Sequence, residues 1–203
     1  MVAIIDYGVG NLFSLKSSFA AIGQEAVITS DPKVIASADR ILLPGVGAFS
    51  DAIRKLCESG LVPVIFDEVE KGKPLLGICL GMQMLFEKSF EYGEYEGLGL
   101  VSGSVKPIAD VIGEGLKVPH IGWNSLSFST PRSEIFKYLN PGDFVYFVHS
   151  YYGENHTSEV TATTSYGATL TAAVQNKNVY GCQFHPEKIG DVGLSILRAF
   201  CAI

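Results

Sequence analysis

Short apolar runs alternate with amphipathic stretches through the first part of the chain. Val2-Ala-Ile-Ile5 is an uninterrupted apolar run of strand length. Asn11 to Ile22 places Leu12, Leu15, Phe19 and Ile22 at helical spacing, and Gly23 closes that helix. Ala26-Val-Ile28 predicts a short second strand, Arg40-Ile-Leu-Leu43 a third, and Ser50 to Glu58 a helix ended by Ser59-Gly60. A helix over Val62 to Lys71 then leads into Pro74-Leu-Leu-Gly-Ile78, a run with the character of a buried strand, and a helix is predicted from Leu80 to Glu87. Strands that alternate with helices predict an α/β chain with a mostly parallel, doubly wound sheet of the flavodoxin-like kind, whose ligands sit beyond the carboxyl ends of the strands.

The pattern changes between Gly97 and Leu170. Short β-like pieces, Gly103 to Pro107, Asn124 to Phe128 and Phe144 to Val148, are separated by turn residues and predict hairpins or an antiparallel extension of the sheet. An apolar run from Val179 and a closing helix over Asp191 to Phe200 complete the chain.

Composition narrows the class. The 203 residues are 47% hydrophobic and 18% charged, with no linker, repeat or low-complexity tract, so one domain over 1–203 is expected. A chain of this size buries roughly 70% of the surface that its unfolded form exposes. The start, Met-Val-Ala-Ile-Ile-Asp6, has neither the basic region nor the length of a secretory signal, and no apolar stretch is long enough to span a bilayer. A cytosolic protein with no membrane association and reduced cysteines follows. A net charge of −6 without a Lys/Arg run argues against nucleic acid. The cysteines and histidines lack zinc-ligand spacing, so no metal and no cofactor is expected.

Candidate chemistry gathers in two segments. Gly77-Ile-Cys-Leu-Gly81 stands between a strand and a helix, which makes Cys79 a candidate nucleophile on a sharp elbow, its sulfur facing the amides of a helix N-terminus. A free thiol ionises near pH 8.5 and needs a cationic or basic neighbour to react at neutral pH. His185-Pro-Glu187 offers one: side chains at i and i+2 of extended chain share a face, so Glu187 can orient His185. Nothing in the spacing itself brings the two segments together. Cys57, Cys182 and Cys201 have no such surroundings and read as structural.

Leu42-Leu-Pro-Gly-Val-Gly47 ends the third strand in a glycine-rich turn, suited either to a tight bend alone or to an oxyanion hole. Asp6-Tyr-Gly-Val-Gly-Asn11 lacks the spacing of a dinucleotide loop and the lysine of a P-loop, which excludes phosphate binding there. Pro119 to Asn124 and Tyr146 to Tyr151 concentrate the single tryptophan, several rings and two histidines, a mixture that fits either core or a protein interface.

Together, Gly77-Ile-Cys-Leu-Gly81 and His185-Pro-Glu187 resemble the class I, or triad, glutamine amidotransferases. More narrowly, Asp6 to Asn11, Pro44 to Gly47, Pro119 to Asn124 and Tyr146 to Tyr151 resemble the glutaminase subunits of imidazole glycerol phosphate synthases, nearly end to end. The resemblance implies that Cys79 attacks the side-chain amide of L-glutamine, with His185 as base and then acid and Glu187 holding the imidazole. It implies an oxyanion hole at Leu80 and the Val46-Gly47 turn, and a glutamine site at Gly47, Gln83, Glu91, Ser150 and Tyr151. It also implies a heterodimer with a separate (β/α)₈ cyclase, met through Asn11, Trp123, Tyr146 and Lys188, and a chain ending at Ile203 agrees with that arrangement. Three other readings remain: a triad glutaminase serving a different synthase, a cysteine hydrolase on the same sheet, and a non-catalytic scaffold that retains the elbow.

Overall fold

The computed structural model describes residues 1–155 and 157–203. Its largest sheet has eight strands in the order β2-β1-β3-β4-β14-β13-β12-β9. The parallel part comprises β1 (Val2–Ile5), β2 (Ala26–Thr29), β3 (Arg40–Leu43), β4 (Leu75–Ile78) and β14 (Val179–Cys182). The antiparallel extension comprises β13 (Thr169–Asn176), β12 (Val160–Ser165) and β9 (Ser127–Phe128).

The apolar runs are continuous because these strands are covered on both faces. Val2, Ile4, Leu42, Leu76 and Ile78 point to one side, where they pack with Leu15 and Phe19 of α1 (Leu12–Ala21) and Leu197 and Phe200 of α6 (Gly190–Cys201). Ala3, Ile5, Ile41, Leu43 and Leu75 point to the other side, onto Ile35 of α2 (Pro32–Ser37), Phe49 and Leu56 of α3 (Phe49–Glu58) and Ile65 of α4 (Val62–Glu70). The period of two along each strand divides a single apolar run between two cores.

Two smaller sheets flank this layer. One has the order β11-β7-β5-β6, from β5 (Phe86–Ser89), β6 (Tyr95–Glu96), β7 (Val101–Pro107) and β11 (Tyr151–Glu154). The other is the antiparallel pair of β8 (His120–Ser125) and β10 (Phe144–His149).

The structure differs from the sequence pattern at three places. The helix predicted from Leu80 to Glu87 is only α5 (Leu80–Met84), and the chain then turns into β5. Leu85 and Phe86 are fully buried, and apolar periodicity alone does not separate a helical turn from a strand there. The piece from Asn124 to Phe128 is divided between β8 and β9, which belong to different sheets. Helix α2 was not signalled by its six residues, although Asp31 caps it by accepting from the Lys33 amide and Pro32 occupies its first turn.

The elbow after β4 is set by glycines. A Cβ on Gly81 would lie 2.0 Å from the Leu43 carbonyl oxygen, and one on Gly77 would lie 2.7 Å from the Gly81 carbonyl oxygen. Gly45 is equally restricted, 2.5 Å from the Gly81 amide nitrogen. Strand β3, its following turn and the first turn of α5 therefore approach backbone to backbone, which only a residue without a side chain permits. Gly81→Ala should destabilise the protein by about 3 kcal/mol or prevent folding, because rigid backbone rather than a movable side chain occupies the space. Gly113→Ala, where nothing lies within 4 Å, should stay within about 0.5 kcal/mol of the parent. Urea unfolding of the two variants checks the contrast.

Candidate active site

The parallel register of β4 and β14 brings the two chemical segments together. Ile78 pairs with Cys182, and the Cys79 amide donates to the Cys182 carbonyl oxygen at 2.8 Å. Both strands end at the same level, so Cys79 leaves β4 where the chain toward His185 leaves β14. The Cys79 backbone is left-handed, with φ 55° and ψ −113°. Such a conformation costs a non-glycine residue of order 1–3 kcal/mol, and the surrounding close contacts maintain it. The residue lines a cleft of about 380 Å³.

His185 is 3% exposed, and its Nδ1 lies 2.9 Å from Glu187 Oε1. Glu187 is itself buried at its side chain, with 1% exposed, and its second oxygen has no hydrogen-bond partner among the described residues. Burial is the largest single influence on the His185 imidazole and pulls its pKa down. Hydrogen bonds and charge from Cys79 and Glu187 together outweigh it and raise the value to about 9. The protonated form of His185 is thereby favoured, with Nδ1–H donated to the carboxylate.

The cleft contains most of the remaining predicted residues. Val46, Gly47, Leu80, Gln83, Glu91, Ser150, Tyr151 and Lys188 line it together with Cys79. Gly47 is left-handed at φ 89°. Glu91 Oε2 accepts the Phe49 amide at the start of α3 at 2.7 Å, and burial raises the pKa of its carboxyl against the pull of that hydrogen bond. Gln83 is buried and donates through Nε2 to the Tyr151 carbonyl at 3.0 Å and to Gln183 Oε1 at 2.9 Å.

Asn11, Trp123 and Tyr146 do not line the cleft. On the β8–β10 pair, Trp123 is opposite Tyr146, with ring centroids 5.7 Å apart. Ile121, Trp123 and Phe144 are each more than half exposed, while the alternate residues Val145, Phe147 and His149 are buried. The strand pair thus turns an apolar outer face to the surface. Asn11 precedes α1.

Sequence reasoning did not single out Gln183, His149, His120 or Tyr92. Gln183 is fully buried and its Nε2 lies 3.7 Å from the Cys79 sulfur. His149 and Tyr92 line the cleft, and Tyr92 has a positive φ of 54°. The position of Gln183 two residues before His185, on the same face of extended chain, was the signal available for it. Of the cysteines read as structural, Cys182 is fully buried and its thiol faces the Phe184 carbonyl at 3.6 Å, whereas Cys57 is exposed on α3. Among the described residues, no group of three or more His, Cys, Asp or Glu could hold a metal, and no helix is long and apolar enough to cross a membrane.

Residues 3–202 match the family described as glutamine amidotransferase class-I. The chain is 49% identical over 201 residues to "Imidazole glycerol phosphate synthase subunit HisH" of Caldanaerobacter subterraneus, covering 98% of this chain and 97% of the relative. It is 49% identical to the like-named protein of Aquifex aeolicus, covering 97% and 94% of the two chains. In fold it resembles the structure of PurLQS from Thermotoga maritima, with a TM-score of 0.74 and 18% identity over 99% of this chain and 97% of that one. It also resembles the glutaminase domain of Trypanosoma brucei CTPS, with a TM-score of 0.68 and 18% identity over 99% and 93%. With its cysteine elbow and histidine–carboxylate pair meeting at the ends of adjacent parallel strands, the chain belongs to the class-I glutamine amidotransferases.

Proposed function

We propose that this protein is the glutaminase subunit of an imidazole glycerol phosphate synthase, and that it passes ammonia from L-glutamine directly to a (β/α)₈ cyclase subunit. The observation that carries the chemistry is that Cys79 and the hydrogen-bonded His185–Glu187 pair come to one cleft at the shared ends of β4 and β14. The cyclase assignment draws on near full-length identity to relatives that bear the synthase name.

In this reading the Cys79 sulfur attacks the side-chain carbonyl carbon of glutamine while His185 holds the proton that the thiol has lost. Negative charge on the tetrahedral oxygen is met by the Leu80 amide and one from the Val46-Gly47 turn. One such donor typically contributes roughly 3 kcal/mol to the transition state. The carbon–nitrogen bond breaks as His185 donates its proton to the leaving nitrogen, giving ammonia and a γ-glutamyl thioester. Water, deprotonated by the now neutral His185, releases glutamate and restores the thiol. Glu187 keeps Nδ1 protonated throughout, so that only Nε2 exchanges protons.

Glu91 receives the α-ammonium of glutamine, with Gln83, Ser150 and Tyr151 completing the substrate site. Ammonia released into neutral water is protonated and no longer nucleophilic, which favours transfer across an interface. The exposed Ile121, Trp123 and Phe144 surface, with Tyr146, Asn11 and Lys188, suits that contact, because partner surfaces are enriched in such rings. The enzyme is then cytoplasmic and heterodimeric. In the cyclase, ammonia would complete imidazole glycerol phosphate and release an aminoimidazole carboxamide ribotide in histidine biosynthesis.

With the cyclase present, Cys79→Ala should abolish glutamine-dependent synthesis and leave ammonia-dependent synthesis within about twofold of the parent. Loss of both activities, or persistence of the first, rejects the assignment. Because the raised pKa of His185 means that the protonated form exists below about 9, glutamine turnover should fall as the pH rises through about 9. Glu187→Gln should move that limb toward lower pH, by roughly one unit, since the carboxylate raises the value. Trp123→Glu should weaken binding to the cyclase at least roughly tenfold by calorimetry, while Cys79 alkylation stays at the parent rate.

A further inference from the structure

A continuous series of hydrogen bonds connects the β8–β10 pair to the sulfur. Asn124 donates through Nδ2 to the Ser165 carbonyl at 3.0 Å, and its Oδ1 lies 2.9 Å from His120 Nε2. His120 Nδ1 lies 3.0 Å from His149 Nε2, and His149 Nδ1 lies 2.9 Å from the Tyr151 carbonyl oxygen. That oxygen also accepts from Gln83, which reaches Gln183, which faces Cys79.

Donors and acceptors along this path do not match if both rings are neutral. The Tyr151 carbonyl can only accept, so His149 Nδ1 carries hydrogen and, in a neutral ring, its Nε2 only accepts. His120 Nδ1 must then donate. At the other end, the Ser165 carbonyl can only accept, so Asn124 presents its oxygen to His120, and His120 Nε2 must donate as well. A neutral His120 leaves two acceptors facing each other at one of its nitrogens. Reversing the His149 tautomer moves the clash to Tyr151, and flipping the Asn124 amide moves it to Ser165. One additional proton satisfies every contact.

The surroundings suit a cationic ring. His120 is fully buried between two aromatic faces, Tyr166 at a centroid distance of 4.0 Å and Phe147 at 5.0 Å, both within 21° of parallel. The Tyr166 hydroxyl is turned away to the Lys117 carbonyl at 2.9 Å. Burial, and after it the charges of His120 and His185, lower the pKa of His149 to about 4 against its hydrogen bond to the Tyr151 carbonyl, which keeps that ring neutral. Burial also lowers the pKa of His120, opposed by its bond to Asn124. The donor count and the two ring faces act against that desolvation.

We propose that His120 is an imidazolium at neutral pH and serves as a positioning residue, keeping His149 as a donor to the Tyr151 carbonyl and so holding that carbonyl, to which Gln83 also donates, in place. The role in catalysis rests on the glutaminase reading above; the proton count does not.

Nitrogen-15 NMR of the intact, histidine-labelled protein without substrate tests this directly. At pH 7 both ring nitrogens of His120 should be protonated, and His149 should show hydrogen on Nδ1 only. A bare nitrogen on His120 at pH 7 overturns the proposal. Asn124→Asp should extend the doubly protonated form to a pH roughly one unit higher, and an unchanged titration overturns it. His120→Phe, which keeps an aromatic ring in the stack but donates nothing, should lower kcat for glutamine in the cyclase complex roughly tenfold, and an unchanged kcat removes the positioning role. If the NMR signature is present and the parent complex hydrolyses no glutamine, the proton assignment stands and the functional reading fails.

Discussion

The parallel pairing of β4 with β14 is the constraint on which the site depends. Neither strand alone carries both the sulfur and the imidazole. Their register, fixed by Ile78 opposite Cys182 and sealed by the Cys79 amide on the Cys182 carbonyl, places the sulfur and the imidazole on one side of the sheet's edge. A shift of one residue would reverse every side chain on β14 between the two cores and turn His185 away. Such a shift is opposed by full burial on both faces, because each core would exchange its apolar residues at once.

Strain and charge are handled by different means. The left-handed Cys79 backbone is held by contacts among backbone atoms at Gly45, Gly77 and Gly81, and these cannot relax by a change of rotamer. The polar groups, by contrast, are arranged in rows that cross from one element to the next. His185 draws on β4 and the segment after β14, and Gln83 joins α5 to β11 and to Gln183. The cleft thus borrows rigidity from the backbone and direction from hydrogen bonds.

Much of the architecture was legible because strands covered on both faces produce uninterrupted apolar runs. Val2 to Ile5 and Arg40 to Leu43 coincide with β1 and β3. Helices α1, α3, α4 and α6 agree with their amphipathic stretches to within one residue at each end. The region after α5 was less readable. Leu85 and Phe86 are apolar and buried whether the chain turns or extends, and β7, β8 and β9 pair with β11, β10 and β12, which lie far along the chain, rather than by local pattern. The elbow cysteine and the His-Pro-Glu segment were visible as motifs, but their meeting was not, since strand order is not written in either one. Gln183 and the His120–His149 pair were missed for a related reason: each acquires meaning only through a partner on another strand.

The insertion of β14 between β4 and β13 has a consequence during synthesis. Residues 75–78 leave the ribosome long before residues 179–182, so the growing polypeptide has a gap in its main sheet and a cysteine without its imidazole. The sheet closes only when nearly the whole chain is available, and Cys79 is joined by the His185–Glu187 pair in that same step. A chain that stops before residue 179 therefore has neither β14 nor that pair.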